Sequence, residues 1–236
     1  MPNSFFKFKQ FTVWHDKCAM KVGTDGVLLG AWAPIDSASR ILDIGTGTGL
    51  VALMLAQRAP ADVSVTALEI DKNAVVQARE NVEHSPWNDR IEVLEGDFNS
   101  FQSEDKFDLI VSNPPYFVDS LTCPNGQRSV ARHNDSLTYH NLVKGVSRLL
   151  ANKGVFTIII PMDVADSVVE VASTYGLNPL KQLSIITKPG VSPKRTLITF
   201  GFENRECVTN ELVIEYERHQ YSEAYVDLTK DFYLKM

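Results

Sequence analysis

The sequence predicts an α/β protein built on a doubly wound, mostly parallel seven-stranded sheet with a final antiparallel strand. Strand-like and helix-like patterns alternate from residue 40 onward, and a glycine-rich turn follows the first of these strands directly. Such alternation implies right-handed crossovers and parallel pairing. The last two strands have only a loop between them, so they should pair as an antiparallel hairpin.

Residues 40–44 (R-I-L-D-I) form the first strand, ending in Gly45, Gly47 and Gly49. Leu50, Leu53 and Met54 recur at helical spacing until Pro60 closes the segment. Residues 63–69 are rich in β-formers, and Asp71 should cap a helix carrying Val75, Ala78 and Val82 on one face. Residues 91–94 and 107–111 are the third and fourth strands. A helix over 137–150 ends at Asn152, Lys153 and Gly154. Residues 155–160 form a strand buried on both sides by composition. Residues 163–175 are helical up to Gly176, and strands 183–187 and 196–202 flank the loop 188–195. No linker-like break follows residue 40. Two units are expected: a preamble, 1–35, packing near the site, and a main domain, 36–236. In the preamble Thr24 should cap a helix that runs through Trp32 and stops at Pro34.

At 236 residues and 44% hydrophobic content, the chain can bury a substantial core. No apolar run reaches bilayer length, and the N-terminus alternates aromatics with Lys7 and Lys9, unlike a signal peptide. The three cysteines, Cys18, Cys123 and Cys207, form no CxxC pair. Inert thiols in a reducing, cytoplasmic setting are therefore expected, with no metal site and no membrane. The five histidines show no ligand spacing either. The net charge of −6 argues by itself against a nucleic-acid partner.

The glycine loop sits between a strand and a helix, where glycine permits positive φ and close approach of a ligand to the backbone. Helix N-terminal N–H groups attract an anionic group, such as the carboxylate of a methionine moiety. Glu69, ending the second strand, is placed to accept from two ribose hydroxyls. Asp97, beyond the third, could accept from an adenine amino group, with Phe98 or Ile70 against the ring. Loop and acid together leave a dinucleotide site open, although the G-x-G-x-G spacing differs from the dinucleotide fingerprint.

Asn113, Pro114, Pro115 and Tyr116 follow the fourth strand at the ligand edge of such a sheet. The two prolines stiffen the turn and remove two backbone donors. Two acceptors remain, the Asn113 side-chain oxygen and the Pro114 carbonyl. They could grip both hydrogens of an amino group on a planar ring or amide and aim its lone pair at an incoming methyl group. Tyr116 would stack on the base; stacking contributes about 1–3 kcal/mol per base.

This tetrapeptide resembles the motif of amino-group methyltransferases, with Asp43 to Gly49 (D-I-G-T-G-T-G) as the cofactor loop. The preamble narrows the resemblance. Phe5 to Phe11 (F-F-K-F-K-Q-F) and Met20 to Ala33 (M-K-V-G-T-D-G-V-L-L-G-A-W-A) look like the start of the bacterial tRNA-valine adenine-N6 methyltransferases. The likeness continues through Glu69, Asp97, Asn113 to Tyr116, and Arg128 to His133, and weakens after about residue 203. It implies a Rossmann-like fold and S-adenosyl-L-methionine as cofactor, held by Thr24, Asp43, Gly45, Thr46, Gly47, Gly49, Glu69, Ile70, Asp97, Phe98 and Asn113. It further implies methylation of adenine 37 of a valine tRNA, with Asn113, Pro114, Pro115 and Tyr116 as the catalytic corner and no obligatory protein partner. Two other readings stay open: a protein glutamine-N5 methyltransferase, and an RNA chaperone that binds the cofactor without catalysis. The glutamine methyltransferases resemble a catalytic domain behind a sizeable helical domain, and only 44 residues precede Gly45 here.

Residues 203–231 hold eight acids and three bases, and so carry most of the net charge. In the expected topology Lys188, Lys194 and Arg195 sit at the ligand edge, joined by Arg128 and Arg132, and the last strand carries the acids to the opposite edge. These bases are the expected RNA contacts. Lys7 and Lys9, with Lys17, Lys21, Phe8, Phe11 and Trp14, read equally well as an extension of that surface and as a solvated loop over partly buried aromatics.

Overall fold

The computed structural model describes residues 4–18, 20–114 and 137–235. A hairpin of β1 (Phe5–Lys7) and β2 (Thr12–Trp14) precedes α1 (Thr24–Trp32). The alternating units follow: β3 (Arg40–Ile44), α2 (Leu50–Arg58), β4 (Ser64–Glu69), α3 (Lys72–Glu83), β5 (Ile91–Glu95), β6 (Phe107–Ser112), α4 (Tyr139–Leu149) and β7 (Leu150–Pro161). A 3-10 turn (Met162–Val164) leads into α5 (Ala165–Thr174), then β8 (Asn178–Ile186), β9 (Arg195–Gly201) and β10 (Val208–Val213). A small hairpin, β11 (Glu215–Glu217) with β12 (Gln220–Tyr221), and α6 (Glu223–Thr229) come after it.

The central sheet runs β10-β8-β9-β7-β6-β3-β4-β5, and every neighbouring pair is parallel except the two made by β9. The sheet therefore has eight strands rather than the seven expected, while β9 is the antiparallel strand expected to pair with the strand before it. The added strand, β10, is V-T-N-E-L-V, in which only Leu212 is buried. Edge pairing to the β8 backbone holds it, so it has no apolar period to read. From β3 the chain builds outward through β4 and β5, then returns to lay β6 on the other side of β3. Ligands bind outside the carboxyl ends of strands at such a reversal.

Alternation along β3 explains how the two faces fill. Ile41 belongs to the core under the preamble, α1, α2 and α3, while Leu42 and Ile44 belong to the core under α4 and α5. Asp43 faces the α2 side and is fully buried there. The aromatics Phe8 and Phe11 are core residues, and Phe8 forms a bridge to Tyr233. The preamble thus packs into the first core together with residues near the C-terminus.

Thr24 does not cap α1. The N-cap is Gly23, which offers no side chain, and Thr24 is the first helical residue. Asp71 and Thr138 do cap α3 and α4, accepting from Ala74 N at 2.9 Å and Asn141 N at 3.2 Å.

Candidate active site

The glycine loop is built on three left-handed residues, Gly45 (φ 70°), Gly47 (φ 57°) and Gly49 (φ 81°). Gly45 and Thr46 donate to the Leu68 carbonyl at 2.9 and 3.1 Å, which ties the loop to the end of β4. A Cβ on Gly49 would make ordinary contact with Ala78 of α3 at 3.5 Å, whereas one on Gly45 or Gly47 would meet nothing within 4 Å. The loop therefore presents bare backbone to open space at the ligand edge, the shape that a methionine-containing ligand needs.

Asp43 supplies the cap that Gly49 lacks. Its Oδ2 accepts from Thr46 Oγ1 at 2.6 Å and from the Ala52 N–H in the first turn of α2 at 3.2 Å. Burial pushes the Asp43 carboxyl up to about 7, with Glu69 adding to the rise and the two hydrogen bonds opposing it. Asp43 therefore shapes the loop from behind.

Glu69, 9% exposed, accepts the Gly47 N–H at Oε2 and the Ile70 and Asp71 N–H groups at Oε1, each at 2.9 Å. Three backbone donors thus orient the carboxylate while lone pairs remain for a diol. Asp97 uses Oδ1 to accept from Asn99 N and Nδ2, and Oδ2 meets no donor among the described residues. Ile70 is 58% exposed beside this edge, whereas Phe98 is buried against Gly145 of α4. Of the two, Ile70 has surface to offer a planar ring.

On the neighbouring strand, buried Ser112 donates to the Ile44 carbonyl at 3.0 Å and draws the end of β6 to the start of the loop. Half-buried Asn113 and buried Pro114 come next. Gly26 of α1 faces Asn113, since a Cβ there would stand 3.9 Å from Asn113 Nδ2 and 3.0 Å from Leu50 Cδ2. The fold thus gathers the glycine loop, Glu69, Asp97 and Asn113 along one edge. Pro115, Tyr116, Arg128 and Arg132 lie outside the described residues.

A family model for the methyltransferase small domain matches residues 23–165. Over its whole length the chain is 66% identical to the tRNA1(Val) (adenine(37)-N6)-methyltransferase of Bacteroides thetaiotaomicron, and each protein is covered completely. It is 47% identical to the protein of the same name from Aeromonas hydrophila, with 99% of each covered. The chain belongs to this family. Among solved structures, one described as a predicted O-methyltransferase from Agrobacterium tumefaciens shares the fold at a TM-score of 0.69 and 21% identity, covering 88% of this chain and 96% of that one.

The methyltransferase distributes its charges differently from the expected pattern. Because β10 runs parallel to β8, it returns the acidic segment to the ligand edge, where Glu215 meets Lys188 at 3.5 Å. The two signs are therefore not separated. Arg195 is engaged by Asp25, Nε to Oδ2 at 3.1 Å. Lys194 is exposed. Lys9 donates to the Lys230 carbonyl at 2.6 Å and lies among Ile35, Asp36, Gln57, Arg58 and Asp231, at the end of α2 farthest from the glycine loop. It does not join the basic edge. Lys7 is exposed on the β1–β2 hairpin, opposite Thr12.

Sequence reasoning missed Asn81. Buried in α3, its amide donates to the Trp14 and Thr48 carbonyls at 2.8 Å each and accepts the Trp14 N–H at 2.8 Å. One side chain thus fastens the preamble to the back of the glycine loop. Gln77, one turn earlier, accepts the Lys17 N–H at 3.0 Å. The signal was present, since two amides interrupt the buried stripe of Ala74, Ala78 and Val82. No group of three potential metal ligands and no helix long and apolar enough to cross a membrane occurs among the described residues.

Proposed function

We propose that this chain transfers a methyl group from S-adenosyl-L-methionine to the N6 amino group of adenine 37 in tRNA1(Val), acting in the cytoplasm. The observation that carries this reading is the meeting of two half-sites across the β3–β6 reversal. A glycine cradle with an acidic strand end lies on one side, and an acceptor-rich asparagine-proline corner on the other. The named relatives supply the substrate.

The cradle residues fit the cofactor. Gly45 and Gly47 leave room for its amino-acid end, Glu69 takes the ribose hydroxyls, and Asp97 takes the adenine amino group. Thr24, exposed at the start of α1, borders the same edge. Bound there, S-adenosyl-L-methionine supplies an electrophilic methyl group on a sulfonium. Asn113 Oδ1 and the Pro114 carbonyl accept the two N6 hydrogens of the target adenine and hold its lone pair toward that methyl. The nitrogen loses a proton to water after transfer, so the corner needs no strong base. Tyr116 is the side chain assigned to stack on the base, with Pro115 beside it in the sequence. An anticodon-loop base is already partly unstacked, which lowers the cost of extracting it. Lys194, together with Arg128 and Arg132, grips flanking phosphates.

The test is incubation with labelled S-adenosyl-L-methionine and separate pools of tRNA, rRNA and protein, followed by digestion and mass spectrometry. N6-methyladenosine at position 37 of a valine tRNA is expected. Label found only on protein glutamine, or on no pool despite cofactor binding, would replace this reading with one of the two alternatives.

A further inference from the structure

We infer that Asp25 and Arg195 act as a positioning pair for Asn113, setting the wall against which the methyl-accepting amine is held. The inference rests on the proposed reading of Asn113 and assigns two residues to its support.

The first turn of α1 is poorly anchored by its own helix. Its N-cap, Gly23, provides no side-chain acceptor, and the first intrahelical bond, Val27 N to the Gly23 carbonyl, is long at 3.3 Å. An ion pair reaching across to the sheet fixes that turn. Asp25 Oδ2 accepts from Arg195 Nε at 3.1 Å, with the two side chains 27% and 31% exposed, so solvent screens the pair only in part. Arg195 is itself held by the sheet. As the first residue of β9 it is in register with Pro161 of β7 and Ile185 of β8, and its Nη1 donates to the Lys194 carbonyl at 2.9 Å.

The residue after Asp25 is Gly26, which faces Asn113 and Leu50: a Cβ there would stand 3.9 Å from Asn113 Nδ2 and 3.0 Å from Leu50 Cδ2. A side chain there would crowd Leu50 and would come within ordinary contact of the Asn113 amide, so the first turn of α1 packs beside that residue. A shift of the first turn therefore changes the packing beside the Asn113 amide. Tyr139, half-buried at the start of α4, has Asp163 and Arg195 as charged neighbours. A displacement of about 1 Å in a positioning element can cost on the order of 10²-fold in rate.

The pair can be separated from a phosphate contact by a cycle of variants assayed in single turnover, at saturating tRNA and cofactor. Asp25→Ala and Arg195→Ala should each lower the methylation rate by about 10-fold or more while leaving cofactor affinity and thermal midpoint near those of the parent. The exchange Asp25→Arg with Arg195→Asp should recover most of the loss. In an Asn113→Ala background, Arg195→Ala should cost nothing further, because the group it positions is gone. Asp25→Asn, which keeps the acceptor and loses the charge, serves if the alanine variants fold poorly, and should fall between them and the parent. The inference is overturned if Arg195→Ala weakens tRNA binding and flattens its salt dependence while Asp25→Ala is normal. An equal loss in the Asn113→Ala background, or an exchange no better than the single variants, overturns it too. A parent enzyme that methylates no tRNA would instead overturn the proposed function.

Discussion

Glu69 Oε2 accepts the Gly47 N–H at 2.9 Å, so the acid expected to hold a ribose also sets the glycine loop that faces it. Glutamine is nearly isosteric but presents one donor where glutamate presents two acceptors. In Glu69→Gln, either Gly47 or the Ile70–Asp71 pair would face an N–H group instead of an oxygen. Hydrogen bonds to a charged group contribute about 1.5–3 kcal/mol, so cofactor affinity should drop by roughly 10- to 100-fold. Calorimetric titration checks this, and an unchanged affinity would remove Glu69 from the site.

Asn113→Ala separates chemistry from binding. The residue lies on β6's side of the reversal, away from the loop's own hydrogen bonds. Cofactor affinity should stay near the parent value while the single-turnover rate falls by about 10²-fold or more, the scale of losing one oriented polar contact in a transition state. A rate within a factor of about two of the parent would show that the corner acts through its carbonyl alone.

Asp43 predicts a pH signature. Its carboxyl titrates near 3.8 in the unfolded chain and, through burial, near 7 in the folded one. The folded state therefore holds the extra proton between these values. The contribution to stability is full below about 3.8, is lost as pH rises toward about 7, and is gone above it. Asp43→Asn keeps an acceptor for Thr46 and Ala52 and abolishes the titration. The thermal midpoint of the variant relative to the parent should rise between about pH 4 and about pH 7 and level off above it. A difference that stays constant across that range would show that Asp43 is ionised throughout.

Lys194 predicts a salt effect distinct from that of its neighbour. It is exposed at the ligand edge, while Lys188 is drawn to Glu215 and Arg195 to Asp25. Lys194→Ala should lower the log–log salt slope of tRNA binding by about one, and Lys188→Ala by less. Equal effects of the two would mean that Glu215 does not occupy Lys188 in the complex.

The strand-helix alternation, the glycine loop, the Asp71 cap and the place of Asn113 were all legible because each is a local property. Apolar period, turn chemistry and capping act within a few residues, and the β3–β6 reversal follows from chain order once the strands are known. What only the tertiary structure decided involves pairing between distant segments. The edge strand β10 is held by backbone bonds to β8 and carries too few buried side chains to show a period, so its return of Glu215 to Lys188 could not be read. Lys9 and Arg195 look alike as exposed cations in a sequence. Tertiary contacts send one to the far end of α2 and place the other on Asp25, 170 residues away in the chain. Charge acts through space over several ångströms, and its partner is set by the fold rather than by sequence neighbours.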